Sequence, residues 1–239
     1  MTDIKPPGIK SIEEQVLLDT TREGVAVVTL NRPGVHNAFN AEVIERLSDI
    51  FGDLAKQDGV RVVLIDGAGK SFSAGADLEW MKAAADYTEH ENYQDALAAA
   101  GMFHRLRALP QPSLALVHGA ALGGGVGLVA AADIAIATSE AQFGLTEVRL
   151  GLVPAVISPY VVEAIGARAA RRYFLTGEKF GAAEALQLGL VHMVVKDKTA
   201  MAQEAEKLVS AILECSPEAI ARAKRLINAS MKEIGRAHV

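Results

Sequence analysis

The sequence predicts an α/β protein in which strands alternate with helices and lie largely parallel. Short apolar runs bounded by glycine, proline or polar residues, as at 60–66 and 114–117, are typical of buried strands. Longer segments with apolar residues at helical spacing separate these runs. A strand that returns to its sheet through a helix makes a right-handed crossover and pairs in parallel, so the alternation favours a parallel sheet.

The composition is that of a folded chain without a linker. Half of the 239 residues are apolar and 22% are charged, which supports a large core and excludes a disordered chain. We predict a core over residues 1–195, of which 1–12 are loose, and a C-terminal helical region over 196–239. The predicted strands lie at 16–18, 25–30, 60–66, 114–117, 134–137 and, as a short extended piece, 192–195.

Helices are predicted from apolar periodicity and from capping residues. Asn40 is the expected N-cap of a helix that ends at residue 57, because its side chain can accept a hydrogen bond from a free backbone N–H. The segment 87–92 is polar and is predicted to be mobile, and Thr146 is the expected cap of a short helical turn that carries Glu147. The other predicted helices lie at 78–85, 94–109, 126–131, 160–165, 168–175, 182–188, 200–215 and 217–231.

Three consecutive glycines, Gly123, Gly124 and Gly125, join a predicted strand to an apolar helix. Their backbone entropy must be offset by some structural demand. A helix N-terminus offers free N–H groups and a positive dipole end, which can bind a phosphate or an oxygen that becomes negative during a reaction. The phosphate-loop pattern fails because Gly125 stands where lysine is required, and the dinucleotide pattern fails at Leu128. The glycines alone favour tight helix–strand packing.

A second turn of small residues, at 71–78, follows the strand at 60–66 and leads into a helix. Two such turns could each direct one backbone N–H at the same carbonyl oxygen. These turns, with the blocks at 31–40 and 142–147, make the sequence resemble the enoyl-CoA hydratase/isomerase (crotonase) superfamily over residues 25–227. The segment 144–161 is similar to bacterial hydratases of the methylglutaconyl-CoA or carboxygeranoyl-CoA type.

The resemblance implies a fold and a chemistry. The family fold is a spiral of repeated ββα units with a C-terminal helical region, which is expected to be shortened here because a further helical stretch normally follows. The implied donors to a thioester oxygen are the N–H groups of Ala76 and Gly124, and the implied acid–base group is Glu147. Burial would raise the pKa of that carboxyl, whereas the helix start and Thr146 would lower it. A glutamate in a first turn can also simply complement the helix dipole.

The resemblance also implies where coenzyme A binds, as part of the substrate, so that no separate cofactor and no metal is expected. Arg32 and Lys70 are candidate phosphate partners, although either could be a solvated surface charge. Trp80 and Met81 are expected to line the acyl pocket or to pack in the core. The implied coenzyme A contacts are Arg32, Val35, His36, Ala38, Lys70, Ser73, Ala74, Asp77 and Leu78.

The sequence departs from the family pattern at Gly127, where hydratases of this kind carry a second glutamate. Another acid could replace it, and Asp77, Glu79 and Glu89 are the candidates in the sequence. Alternatively, Glu147 could perform both proton transfers through one water. The chain could also be a Δ3–Δ2 enoyl-CoA isomerase, in which one base moves a proton, or a catalytically weak acyl-CoA-binding homologue.

Charge and hydropathy set the remaining expectations. The net charge of −5 argues against nucleic-acid binding, no apolar run is long enough to cross a membrane, and the single Cys215 fits a reducing cytosol. These properties favour a cytoplasmic protein, and the resemblance implies an enoyl-CoA hydratase of fatty acid or branched-chain amino acid breakdown. The resemblance implies a homotrimer or a dimer of trimers, and a branched or carboxylated acyl chain.

Overall fold

A computed structural model describes residues 14–236. Residues 1–13 and 237–239, which include the predicted loose N-terminus at 1–12, lie outside the described residues. A six-stranded sheet in the order β1-β2-β3-β4-β6-β9 forms the centre. Only β1 and β2 pair antiparallel within it, and the other neighbours are parallel, which confirms the predicted largely parallel sheet. Its strands are β1 Val16–Asp19, β2 Gly24–Leu30, β3 Val60–Gly67, β4 Ser113–Val117, β6 Ile134–Thr138 and β9 Met193–Val195.

A second sheet of three short strands stands beside the large one. It consists of β5 Ala120–Leu122, β7 Gln142–Gly144 and β8 Lys179–Gly181, with β5 and β7 parallel and β7 and β8 antiparallel. None of the three was predicted, because three residues are too few to show an alternating pattern.

The helices connect the two sheets in repeated units. In β4–β5–α4 and again in β6–β7–α5, the first strand joins the large sheet, the second joins the small sheet and a helix follows. This arrangement confirms the spiral of ββα units. The helices are α1 Ala41–Leu54, α2 Leu78–Ala84, α3 Glu89–Ala108, α4 Gly124–Ala131, α5 Ser158–Thr176, α6 Ala182–Leu188, α7 Lys198–Glu214 and α8 Pro217–Arg236, with short 3-10 turns at Pro33–Val35 and Glu147–Leu150.

The start of α3 corrects the prediction for the polar segment. Thr88 and Glu91 form a reciprocal capping box, in which each side chain accepts from the other residue's backbone N–H. Residues 89–92 are therefore helical, and α3 begins at residue 89 rather than at the predicted residue 94. Asn40 does cap α1, accepting from the Val43 N–H at 2.9 Å, although α1 ends at residue 54 rather than 57.

The large sheet buries both of its faces. Val63 and Ile65 face the main core with α1, α3 and α4, whereas Val62, which points the opposite way on the same strand, packs with Val209 of α7. The last helix, α8, is tied down by Lys224, whose Nζ lies 2.6 Å from Asp133 Oδ2. The division between residues 195 and 196 stays a prediction.

Candidate active site

The two predicted turns are bonded to each other at one end of the sheets. The Ser73 N–H donates to the Ala120 carbonyl at 3.0 Å, and the Leu122 N–H donates back to the Ser73 carbonyl at 2.9 Å. Each turn leaves the end of a strand, so the pairing fixes the residues that follow Ser73 beside those that follow Leu122. The sequence could place both turns after strands, but their mutual pairing joins segments almost fifty residues apart.

Gly75 and Gly123 make this approach possible. Their φ angles are +85° and +50°, a region that favours glycine. A Cβ at Gly75 would lie 2.7 Å from the Leu122 carbonyl oxygen, and one at Gly123 would lie 3.1 Å from Glu147 Oε1. Close packing therefore accounts for these glycines, and it brings the two turns together with Glu147 beside Gly123.

Ala76 and Gly124 line one cavity of about 280 Å³ together with Glu147. Within the described part of the chain, neither N–H donates to a protein acceptor. The neighbouring N–H groups are paired, since Asp77 donates to Phe39 and Gly123 donates to Gly144, each at 2.8 Å. Gly124 is also the first residue of α4, where the helix dipole adds partial positive charge. Two free donors thus stand at one cavity among bonded neighbours.

Glu147 opens the 3-10 turn that follows β7. Burial raises the pKa of its carboxyl, although a bond from its own backbone N–H acts in the opposite direction. Its Oε2 is buried and has no hydrogen-bond partner among residues 14–230. Thr146 precedes the turn, but its side chain makes no capping bond, so the predicted cap was wrong. The carboxyl is therefore free to take or release a proton inside the cavity.

The rest of the cavity wall is mostly apolar. Trp80 and Met81 lie in it, as expected for an acyl pocket, and the loop at 152–157 forms another side. Sequence reasoning missed the contribution of α3. Ala96, Ala99 and Phe103 line the cavity at the i, i+3 and i+7 spacing of one helix face, which is the signal that could have found them.

The position of the missing second glutamate is filled by other side chains. A Cβ at Gly127 would overlap Cγ2 of Ile157 and would lie 2.9 Å from Cε1 of Phe103. Both of these residues are almost fully buried and line the cavity. A carboxylate at residue 127 would therefore require both apolar side chains to move.

None of the three candidate replacements lies in the cavity wall. Asp77 accepts from the Glu79 N–H at the start of α2 and pairs with Arg32. Glu79 pairs with Lys82 at 2.7 Å, and Glu89 is exposed. The geometry thus favours Glu147 acting without any of them.

The predicted coenzyme A contacts surround the first turn, and Arg32 is engaged there. Its Nη1 donates to Asp77 Oδ2 at 2.8 Å and to the Ala38 carbonyl at 2.7 Å. Burial alone would raise the pKa of Asp77, but the hydrogen bonds from Arg32 and from the backbone of Glu79 and Trp80 hold it below its usual range. These contacts leave Arg32 less available for phosphate than the sequence suggested, and its assignment stays a prediction.

Of the other predicted coenzyme A contacts, some form hydrogen bonds within the protein or are buried, and others are exposed to solvent. Ser73 is fully buried, with its Oγ donating to the Asn37 carbonyl, and the Ala74 N–H donates to the His36 carbonyl. His36 Nδ1 lies 3.0 Å from Ser71 Oγ. Ala38 is buried, whereas Val35, Lys70 and Leu78 are exposed.

A second lysine contacts the loop that carries Lys70. Lys198 Nζ donates to the carbonyl of Gly69, the residue before Lys70, at 3.2 Å. Among the charged residues named from the sequence, Lys70 is the better placed for a phosphate.

Two further features of the described residues concern metals and membranes. No cluster of three or more histidine, cysteine, aspartate or glutamate side chains in this part of the chain could hold a metal ion. None of the helices described is both long and apolar enough to span a membrane.

Comparison with known proteins identifies the family. A family model described as enoyl-CoA hydratase/isomerase matches residues 20–238. The short-chain-enoyl-CoA hydratase of Clostridium acetobutylicum is 36% identical over 214 residues, which cover 88% of this chain and 80% of that protein. A crystal structure of an enoyl-CoA hydratase from Shewanella pealeana is 38% identical, with a TM-score of 0.87 over 95% of this chain and 89% of that one. Pseudomonas aeruginosa AtuE is 37% identical, with a TM-score of 0.88 over 94% of this chain and 90% of that one.

These relatives share the spiral fold along almost the entire chain, and their sequence identity exceeds the level at which only a fold would be shared. The chain is an enzyme that belongs to the enoyl-CoA hydratase/isomerase family.

Proposed function

We propose that the protein adds water across the α,β double bond of an enoyl-CoA, with Ala76 and Gly124 binding the thioester oxygen and Glu147 transferring the protons. The observation that carries the proposal is the meeting of two unpaired backbone N–H groups and one buried, unpartnered carboxyl in a single cavity. The name of the Clostridium relative, a short-chain-enoyl-CoA hydratase, supports the same reaction.

The two N–H groups act on the charge that forms during addition. As water attacks the β-carbon, the electrons of the double bond move toward the thioester oxygen and generate an enolate. Donors fixed in place before the reaction stabilise that negative charge, and losing one typically costs about 100- to 1000-fold in rate. The N-terminus of α4 adds its dipole at Gly124.

Glu147 accounts for both proton transfers. Its carboxylate takes a proton from the attacking water while the oxygen–carbon bond forms, and the resulting carboxylic acid then gives a proton to the α-carbon. The product is a 3-hydroxyacyl-CoA, and the enzyme returns to its starting state. The apolar filling around Gly127 and the absence of Asp77, Glu79 and Glu89 from the cavity wall support one carboxyl in both roles.

Coenzyme A belongs to the substrate in this reaction, and no metal or separate cofactor is part of the proposal. Lys70, in the loop that Lys198 contacts, is proposed to attract the phosphates. For assembly we propose the homotrimer or dimer of trimers of the family, located in the cytoplasm. Exposed apolar side chains such as Leu175 and Leu226 could form contacts between subunits. Analytical ultracentrifugation would measure the number of subunits in the assembly.

The absence of a second carboxyl at residue 127 also favours a second candidate, a Δ3–Δ2 enoyl-CoA isomerase. There one base would remove a proton from the α-carbon and return it to the γ-carbon. Ultraviolet absorbance of the conjugated thioester separates the two. Loss of absorbance with crotonyl-CoA supports hydration, and a gain with a 3-enoyl-CoA supports isomerisation. Binding without either change would indicate an acyl-CoA-binding homologue and would contradict both.

A further inference from the structure

The wall of the acyl cavity contains acidic groups and no basic ones. Among the described residues that line it, the titratable side chains are the carboxyl groups of Glu147 and Asp95. No lysine, arginine or histidine of the described part of the chain faces this space. A negative group entering the cavity would therefore find no partner there.

Asp95 stands at a distance from the reacting centre. It lies on α3, eight residues before Phe103, and eight residues of helix span about 12 Å along the axis. The ring of Phe103 packs against Gly127, and Gly127 lies one turn of α4 after Gly123, the glycine beside Glu147. Asp95 is thus set back by about 12 Å of helix from the packing around Gly127, and we take its side of the cavity as the place that the tail of an acyl chain would reach.

The Asp95 carboxylate is half-buried and is not neutralised. No hydrogen bond or ion pair joins it to another described residue. Two cations on nearby elements are engaged elsewhere, since Lys82 pairs with Glu79 at 2.7 Å and Arg105 points to the Ser48 carbonyl. The negative charge of Asp95 therefore acts on the cavity itself.

A neighbouring cavity of about 330 Å³ extends the same charge. It shares Ile44, Trp80 and Asp95 with the acyl cavity, and its own wall adds the carboxylates Glu45 and Asp49. Within the described residues it too has no basic side chain. Asp95 thus belongs to a group of three acids at this end of the acyl cavity.

We infer that Asp95 is a specificity-determining residue, through which the cavity accepts uncharged acyl chains and rejects chains that end in a carboxylate. The inference rests on the proposed function, since it takes this cavity as the acyl pocket. A carboxylate at the end of the acyl chain would lose its hydrating water on entering the cavity and would find no cation there to pair with. It would also be repelled by the carboxylate of Asp95, and each of these effects opposes binding. Of the chains implied by the resemblance, an uncharged branched chain fits this wall and a carboxylated one does not.

The first test compares turnover of paired 2-enoyl-CoAs with four, six and eight carbons, one member of each pair uncharged and the other ending in a carboxylate. The wild type is expected to favour the uncharged member in kcat/KM by about tenfold or more. Asp95→Asn should narrow the preference by about three- to tenfold for the chains long enough to reach it. Asp53→Asn, an equal charge change at an exposed site that lines neither cavity, should keep the wild-type ratio.

The test compares the ratio of kcat/KM for the uncharged and the carboxylated member of each pair. A general loss of activity in a variant lowers both values and leaves this ratio unchanged. Equal kcat/KM for both members of every pair in the wild type would overturn the inference. So would an Asp95→Asn ratio that matches that of Asp53→Asn at all chain lengths.

The second test measures binding of saturated acyl-CoAs by calorimetry and needs no turnover. Hexanoyl-CoA should bind more tightly than adipyl-CoA, and Asp95→Asn should bring the two dissociation constants closer together. If no uncharged enoyl-CoA is turned over, the proposed function fails, yet the binding ratio still decides the role of Asp95. If turnover occurs and carboxylated and uncharged acyl-CoAs bind with equal dissociation constants, only the inference about Asp95 fails.

Discussion

Adding a methyl group at Gly127 probes the packing that replaces the second glutamate. A Cβ there would overlap Ile157 Cγ2 and approach Phe103 Cε1 to 2.9 Å. Overpacking of this kind costs about 1–3 kcal/mol, and the overlap with a buried, branched side chain places Gly127→Ala at the upper end. Replacing glycine by alanine inside a helix returns about 1 kcal/mol. We therefore expect a net loss of about 1–2 kcal/mol in the free energy of unfolding.

The chain supplies a matched control for this substitution. Gly101 is also inside a helix, α3, but a Cβ there would have nothing within 4 Å. Gly101→Ala should therefore stabilise the protein by about 0.5–1 kcal/mol, and urea unfolding of both variants should separate them by about 1.5–3 kcal/mol. If Gly127→Ala stabilises the protein as much as Gly101→Ala does, the space beside Gly127 is open and a second carboxyl could fit there.

Two further predictions concern the turns and the carboxyl. Gly75→Ala, which forces a side chain into a φ of +85° and against the Leu122 carbonyl, should displace the Ala76 N–H. We expect kcat to fall about 100-fold or more. The control is Gly34→Ala, in the exposed 3-10 turn at Pro33–Val35, where an added Cβ has nothing within 4 Å; wild-type kcat in Gly75→Ala would contradict the donor assignment. Since the folded pKa of Glu147 is raised above its ordinary value of 4.5, the unfolded chain releases this proton first as the pH rises, so the wild type loses stability between that pH and the folded pKa. Glu147→Gln does not titrate and should gain thermal stability over the wild type as the pH rises above 4.5, and a difference that is constant with pH would show that this carboxyl is not buried at a cost.

Much of the fold could be predicted because its elements carry local signals. The strand β3 is a mostly apolar run that ends at Asp66 and Gly67, and the helix α1 shows helical spacing of its apolar residues over fourteen residues. The start of α3 was missed although Thr88 and Glu91 have the spacing of a capping box, because the polar composition of 87–92 was given more weight. The strands β5, β7 and β8 have no such signal, since each is stabilised by partners far away in the chain.

The candidate site shows the same division. Ala76, Gly124 and Glu147 were identified from the sequence because two glycine turns and one glutamate block resemble those of a family. The structure brings the three residues to one cavity. The spacing of residues in the sequence could not have predicted this meeting, because the two turns are joined only by backbone hydrogen bonds between distant segments. Nothing local reveals that Asp77, 45 residues later, pairs with Arg32, and the phosphate role of Arg32 stays a prediction. Asp95 was overlooked because a single acid on a polar helix is ordinary until the helix is placed against a cavity.

The most direct measurement of the central claim follows crotonyl-CoA by ultraviolet absorbance with the wild type, Glu147→Gln and Glu140→Gln, alongside acyl-CoA binding by calorimetry. Glu140 is exposed, so the two variants change the same group inside and outside the cavity. The wild type and Glu140→Gln should consume the conjugated thioester, whereas Glu147→Gln should lose about 100- to 10,000-fold in kcat and still bind butyryl-CoA. Turnover by Glu147→Gln at the wild-type rate would contradict the account.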